Sequence, residues 1–450
     1  MIVSDKNKEQ KNAIMDQLLC GACEQVITPP LGLEIPGYFK VRVADAVKSD
    51  LKVHAIVLEN GNTRLAIIHI DILDFQASLA KAIRRRLWES LKIPASHVMV
   101  AATHTHTGSP TNYQCLPVKA SPKHMKRVIE QTVLAVEAAY HKRVPVQMGF
   151  AYGEEKTVAF NRNYRMNDGT ILTNPGKRRP HDVVSPLSPI DHTLGVIRFD
   201  ALDGTPVAQI VNFSCHPDTV GGSAYCADYP GELCRLQQER FGSDFVTVYL
   251  NGASGNVNHI NAEWFKTPGF ALDKENHYKH MGKVLSDGVL ALHGQLKIAS
   301  GTELSALAKT YRAPRRQPSN QDIAWAKQVN QDPQADTDDR IYAKELTFLH
   351  KHPKRFANVE IQVFRMGDCS VVALPCEAYA DIALKIRKNA PAHELMISTL
   401  TNGTVGYVVT EPAFSAGVYE SKLAIYNSFL PPSSADKMAE CANALLDLLY

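Results

Sequence analysis

The sequence predicts an α/β protein with mixed β-sheets flanked by helices, and three observations predict it. Short apolar runs of strand length alternate with longer segments of helical spacing. Several of those runs are joined by tight turns, at Asn60-Gly61 and Asp203-Gly204, so antiparallel hairpins intrude on a pattern otherwise suited to parallel strands. No internal repeat and no low-complexity tract breaks the alternation.

Taken in order, residues 1–19 read as a polar lead-in helix. Gly21–Pro29 reads as a strand that runs into Pro29-Pro30, and LGLEIPGYF as a loop. Val53–Glu59 and Arg64–Ile70 flank Asn60-Gly61-Asn62-Thr63 as a hairpin. Leu79, Ile83, Leu87 and Leu91 give Ser78–Leu91 one apolar face, and Val98–Ala102 follows as a buried strand. Met125–Tyr140 is helical and Gln147–Tyr152 extended. Asn161–Pro189 is a long polar stretch, and such loops are functional or disordered. Thr193–Phe199 and Val207–Phe213 form a second hairpin, then helix, strand and helix follow at Gly231–Phe241, Phe245–Leu250 and Glu275–Leu292. Pro314–Lys354 is highly charged and reads as a helical excursion from the core, a lid or a subunit contact. Val359–Met366 and Ser370–Leu374 turn at Gly367-Asp368. The helix Ala378–Lys388, the strand Leu395–Leu400, the loop TNGTVGYVVT and the helix Ala435–Leu449 complete the pattern.

With 450 residues, 45% hydrophobic and 21% charged, the chain has the composition of an ordinary globular protein. A net charge of +3 is too small to argue for nucleic acid. Arg84-Arg85-Arg86 and Lys177-Arg178-Arg179 could touch phosphate, but a solvated helix face and a solvated loop account for them. No apolar run reaches the length of a membrane span, and the first residues lack the apolar core of a signal peptide, so a cytoplasmic location is expected. Nine scattered cysteines argue against a disulfide framework. Cys20 and Cys23 make a lone CxxC, which holds zinc, cycles as a dithiol, or is a coincidence at a strand start.

The chemistry gathers where apolar strands end. His104 and His106 follow Val98–Ala102, and side chains two apart in extended backbone share a face. Adjacent buried imidazoles need partners, which a metal ion or hydrogen bonds would supply. His216 leaves the buried run VAQIVNFSC, as a structural histidine or as a further ligand. Glu377 follows SVVALPC and either complements a helix dipole or completes a His/His/carboxylate zinc set. Asp228 either caps the helix that starts at Tyr229-Pro230 or orients a ligand histidine and takes a proton. Asp71 and Asp74 support the histidines or cap local structure. Cys215 and Cys226 lack a general base and read as structural. Ser254 is no nucleophile elbow, because Gly252-Ala253-Ser254-Gly255-Asn256 lacks the final glycine.

ATHTHTGSP, NFSCHPD, LPCEAYADIALKIR and NGTVGYVVTEPAFSAGVYES occur in that order, with FNRN and GNVN. On these motifs the chain resembles the catalytic domain of the neutral/alkaline (non-lysosomal) ceramidase family over most of residues 20–425. The resemblance implies one ceramidase-like catalytic domain over 20–450, with the charged excursion at about 314–354 inside it. It implies a single catalytic Zn2+ held by His104, His216, Glu377 and Tyr407. It places His106 beside the reacting water, Arg162 against the substrate and Tyr419 at the reaction centre. The family's trailing β-sandwich is not expected, because little chain follows Tyr419. The chain departs at Gly255-Asn256-Val257-Asn258-His259, where the family carries Gly-Asp-Val-Ser-Pro-Asn. Asn258 replaces the reaction-centre serine; its amide can orient a substrate or donate to an oxyanion. The implied activity is zinc-dependent hydrolysis of an amide or other acyl bond in a small-molecule or lipid-like substrate. A non-hydrolytic zinc enzyme (isomerase, lyase or cyclase) and a non-catalytic binding protein are the alternatives, and self-association is left open.

Overall fold

A computed structural model describes residues 17–111, 118–176, 178–391 and 394–450. Most of the expected lead-in helix and Lys177 of the second basic run lie outside the described residues. The largest sheet runs, from edge to edge, Val246–Asn251, Pro206–Phe213, Thr193–Ala201, Val144–Glu154, Leu19–Val26, Lys52–Asn60, Thr63–Ile70 and Val98–Ala102. Both edge strands pair in parallel and the interior pairs are antiparallel, so the sheet is mixed.

Period-two alternation gives this sheet two buried faces. In Lys52–Asn60, Val53, Ala55 and Val57 pack beneath the helices Ala77–Leu91 and Pro122–His141. Ile56 and Leu58 point the other way, into a core shared with Phe364, Val371 and Met396. Those three belong to a second sheet, ordered Leu304–Pro314, Phe356–Met366, Cys369–Ala373, Leu395–Ser398. The far face of the second sheet is covered by the helices Asn320–Gln331, Thr337–Lys351, Ala380–Asn389 and Ser433–Asp447. Helices, sheet, sheet and helices therefore stack as four layers. The helices Asp228–Phe241 and His277–His293 close the remaining part of the first sheet.

Polar groups stitch the two sheets at one end. The Asn212 amide donates to Leu250 O at 2.7 Å and Ile397 O at 2.8 Å, and its oxygen accepts from Ile397 N–H at 3.2 Å. Asn402 accepts from Val100 N–H at 3.0 Å and donates its own N–H to Val100 O at 2.7 Å. The strand ends of both sheets are thereby brought to one seam.

Several local expectations need correction. Cys20 is buried between the sheets, whereas Cys23 packs on the opposite, helical face, so the CxxC thiols cannot share a metal or a disulfide. Arg84 is neither a solvated residue nor a phosphate ligand. It is buried, donates to Val98 O at 2.9 and 3.0 Å and pairs with Glu360 at 2.8 Å. Arg179 is ion-paired with Asp182 and Asp168. The polar 161–189 stretch contains three short strands, Asn163–Met166, Ile171–Thr173 and Val183–Pro186. Leu304–Pro314 is a strand that the apolar pattern does not announce. Among the described residues no helix is long and apolar enough to cross a membrane.

Candidate metal centre

His104 has a left-handed backbone, φ 73°, which residues other than glycine seldom adopt. Two bonds hold it there: its N–H donates to Ile72 O at 3.0 Å, and its Nδ1 bonds Leu73 O at 2.8 Å. His216 leaves the strand Pro206–Phe213, and its Nδ1 bonds Ser254 O at 3.0 Å. A carbonyl oxygen can only accept, so both Nδ1 atoms carry the hydrogen and both Nε2 atoms present lone pairs. Those two Nε2 atoms lie 2.9 Å apart.

Glu377 and Tyr407 arrive from the second sheet, side by side in the parallel pairing of Glu377–Ala378 with Tyr407–Val408. Gly406 makes that approach feasible: its φ is 72°, and a Cβ there would sit 2.3 Å from Asn427 O. Glu377 Oε2 lies 3.2 Å from His104 Nε2 and 3.6 Å from His216 Nε2. The Tyr407 hydroxyl is 3.5 Å from His216 Nε2. Donors of zinc type, at roughly 2.05 Å from a tetrahedral centre, stand about 3.3 Å from one another. The observed spacings bracket that value, and two facing lone pairs beside a carboxylate call for a cation. The donor set fits a divalent metal ion.

His106 completes the cluster without sharing its bonds. One nitrogen from each of His104, His106 and His216 lies within 4.8 Å of the others. Among the described residues neither ring nitrogen of His106 has a hydrogen-bond partner, and its Nδ1 stands 3.7 Å from Asp218 Oδ1. Burial drives His106 well below the ordinary histidine range and does the same to His216. A loop covers His106. Gly37 has φ 110°, and a Cβ there would meet His106 Nδ1 at 2.8 Å; the neighbouring Tyr38 hydroxyl donates to Asp218. Arg42 donates to His106 O at 2.6 Å.

The other expected residues fall into two groups. Tyr419 lines the cleft above the cluster, its ring 6.2 Å from that of Tyr407. The cleft is narrow, about 70 Å3, and is walled by Tyr38, Phe39, Leu73, Tyr426 and Asn427 as well. Arg162 lies 5.4 Å from the Tyr407 ring and 6.0 Å from the Tyr419 ring, donating to Glu420 at 2.6 Å and to Gly255 O at 2.7 Å. It is absent from the cleft wall. Asn258 accepts from Ile260 N–H at 3.0 Å and donates to Asn174 at 2.6 Å, so most of its amide is committed away from the cluster. Asp228 accepts from the N–H groups of Thr219, Val220 and Tyr229 and from the Thr219 hydroxyl. It braces the loop after His216 and leaves the imidazole to Ser254. Asp74 lines the cleft, whereas Asp71 accepts from Lys52 N–H at 2.9 Å and faces a different cavity. Burial pushes the thiols of Cys215 and Cys226 up, which keeps them protonated.

Two participants carry no sequence signal. Ser254 acts through its carbonyl, which any residue would supply. Glu420 is fully buried and receives Arg162, Asn163 and the Tyr379 hydroxyl.

No protein-family model matches the chain, and no curated protein matches it in sequence. Solved structures do. The neutral ceramidase from Pseudomonas aeruginosa superposes with a TM-score of 0.72 at 17% identity, covering 96% of this chain and 75% of that one. A structure titled "Ceramidase complexed with C2" gives a TM-score of 0.72 at 16% identity, covering 96% and 76%. The mixed sheets and flanking helices of this chain have the neutral ceramidase fold.

Proposed function

We propose that this chain is a zinc-dependent hydrolase that cleaves an amide or other acyl bond with water. The observation that carries the proposal is the convergence of two Nε2 lone pairs, a carboxylate and a phenol beside a neutral imidazole that has no hydrogen-bond partner among the described residues. His104, His216, Glu377 and Tyr407 would hold one Zn2+. When bound, zinc supplies Lewis acidity toward a water and a scissile carbonyl.

The protein's own groups do the remaining work. Neutral, and without a hydrogen-bond partner among the described residues, His106 takes the proton of the attacking water and returns it to the leaving nitrogen or oxygen. Asp218, 3.7 Å away, orients that ring. The Tyr419 hydroxyl lines the cleft and donates to the developing oxyanion. Arg162 acts through Tyr407: its guanidinium opposes the burial and the Glu377 charge that raise the phenol. Asn258 positions the polar loop at Asn174 beside the site. A narrow cleft suits a small or slender acyl substrate, and a lipid-like one agrees with the ceramidase neighbours.

The test uses N-acyl anilides of short and long chain in isotopically heavy-oxygen water. Hydrolysis places the label in the carboxylate product. His104→Ala should abolish turnover and lower the bound zinc while circular dichroism stays that of the parent. Full activity in that variant would overturn the mechanism. Product without label would favour the second reading, a lyase, isomerase or cyclase on the same donors, which Asn258 in the place of the ceramidase-motif serine supports.

A further inference from the structure

A second cluster of metal-binding side chains lies on the inner face of the first sheet. His54 and His69 are directly opposite one another on paired strands, their rings stacked with centroids 4.3 Å apart. Glu24 is opposite His54 on its other side, so Glu24, His54 and His69 form one row across three strands. Cys234 reaches the row from the helix Asp228–Phe241. Its Sγ and one nitrogen from each imidazole all lie within 4.8 Å of one another.

Each ring uses one nitrogen on the edge strand Val246–Asn251, which curls over this row. Tyr249 N–H donates to His69 Nδ1 at 2.8 Å, and the Thr247 backbone bonds His54. What is left is instructive. His54 Nδ1 is buried, has no hydrogen-bond partner among the described residues and stands 3.7 Å from Glu24 Oε2. Asp71 Oδ1 is likewise buried and unpartnered. Because Nδ1 of His69 accepts, its Nε2 carries the hydrogen, and it faces Asp71 Oδ1 at 3.8 Å as a donor rather than a ligand. Lys52 Nζ takes Glu24 Oε1 at 2.5 Å and leaves Oε2 toward His54. A cavity of about 560 Å3, lined by Glu24, His54, Asp71 and Cys234, gives access from outside.

We propose that His54 Nδ1, Cys234 Sγ and Glu24 Oε2, with Asp71 facing the same cavity as a fourth donor, form a second site for a borderline-soft divalent ion of the zinc class. An imidazole lone pair and a sulfur select such an ion over magnesium or calcium, which take oxygen. Burial drives His54 down to about 3, so its ring is neutral at any working pH. Burial also holds the Cys234 thiol well above its usual range, so ligation must displace its proton.

The experiment is a Co2+ titration of the full metal-free chain, read by near-ultraviolet absorbance and by bound cobalt per chain. The His104 cluster contains no sulfur, so a thiolate-to-cobalt charge-transfer band reports only the second site. The expected result is two ions per chain, that band, and one extra proton released with the ion that produces it. Cys234→Ala and, separately, His54→Gln should each remove the band and one ion and leave the other. His104→Ala and Cys215→Ala should both keep the band. One ion per chain without a thiolate band overturns the proposal, as does a band that survives Cys234→Ala. If Cys234→Ala fails to fold, His54→Gln decides by the same readouts. Loss of the catalytic ion alone would count against the hydrolase proposal and leave this one standing.

Discussion

Glu420 has no exposed side-chain surface, and its partner Arg162 is also buried. Removing one member of a buried ion pair leaves the other uncompensated, at about 3–5 kcal/mol. Glu420→Gln is therefore expected to lower the unfolding free energy measured by urea titration by that much, and Arg162→Met combined with Glu420→Leu to lower it less than either single change. Gly37 offers a cleaner catalytic probe. Gly37→Ala adds a Cβ 2.8 Å from His106 Nδ1 at a backbone angle that disfavours it, so the loop over the imidazole must shift. Turnover should fall, on the order of 100-fold, while zinc stoichiometry and the thermal midpoint stay near those of the parent. His104 and His106 were legible because an apolar strand advertises what stands at its end. Glu420 was not, since VYES reads equally well as the exposed start of a helix. Asn258 was legible only as a replaced serine; its hydrogen bond to Asn174 depends on a loop eighty-odd residues away in sequence.

The helix Thr337–Lys351 carries the carboxyl of Glu345 inward. Glu345 is buried and accepts a hydrogen bond from Ile425 N–H at 3.1 Å, and burial raises its carboxyl from 4.5 to about 7. The folded state thus binds this proton more tightly than the unfolded chain does. Its contribution to stability is complete below the unfolded value and is lost as pH climbs through the folded one. Between pH 5 and 8 the parent should lose on the order of 3 kcal/mol from this group. Glu345→Gln should flatten that part of the pH–stability curve, which denaturation at each pH would reveal. The charged composition of 314–354 suggested helices standing away from the core; Asn320–Gln331 and Thr337–Lys351 are helices, but Ala326, Val329, Ala343, Leu346 and Leu349 pack them onto the second sheet. Leu304–Pro314, just before them, gave no comparable sign. Ala308, Lys309, Thr310 and Arg312 are exposed on an edge strand, so apolar alternation is lost even though Phe356–Met366 pairs along its whole length.

At the scale of the molecule, the four layers meet in one seam, and the donors come from both sheets: His104 and His216 from the first, Glu377 and Tyr407 from beyond the strands of the second. An ion held across that seam binds only the folded arrangement. At a hundredfold excess over its dissociation constant it should add about 2.7 kcal/mol to stability. Dialysis against a chelator should accordingly lower the thermal midpoint, and zinc should restore it, with His104→Ala insensitive to both except for any contribution from the second cluster. The alternation of strands and helices was readable along the chain. Which sheet stacks on which was not, because Asn212 reaching Ile397 is a contact between segments that share no local pattern.

The pairing of Glu377 with Tyr407 has a consequence for biosynthesis. A chain that ends before position 407 holds every strand of the first sheet yet lacks the Tyr407 phenol and the strand that pairs with Glu377–Ala378. Loading of the proposed seam site would thus be a late checkpoint: a chain ending before that tyrosine lacks one of its four donors, and truncated products should emerge without the seam ion.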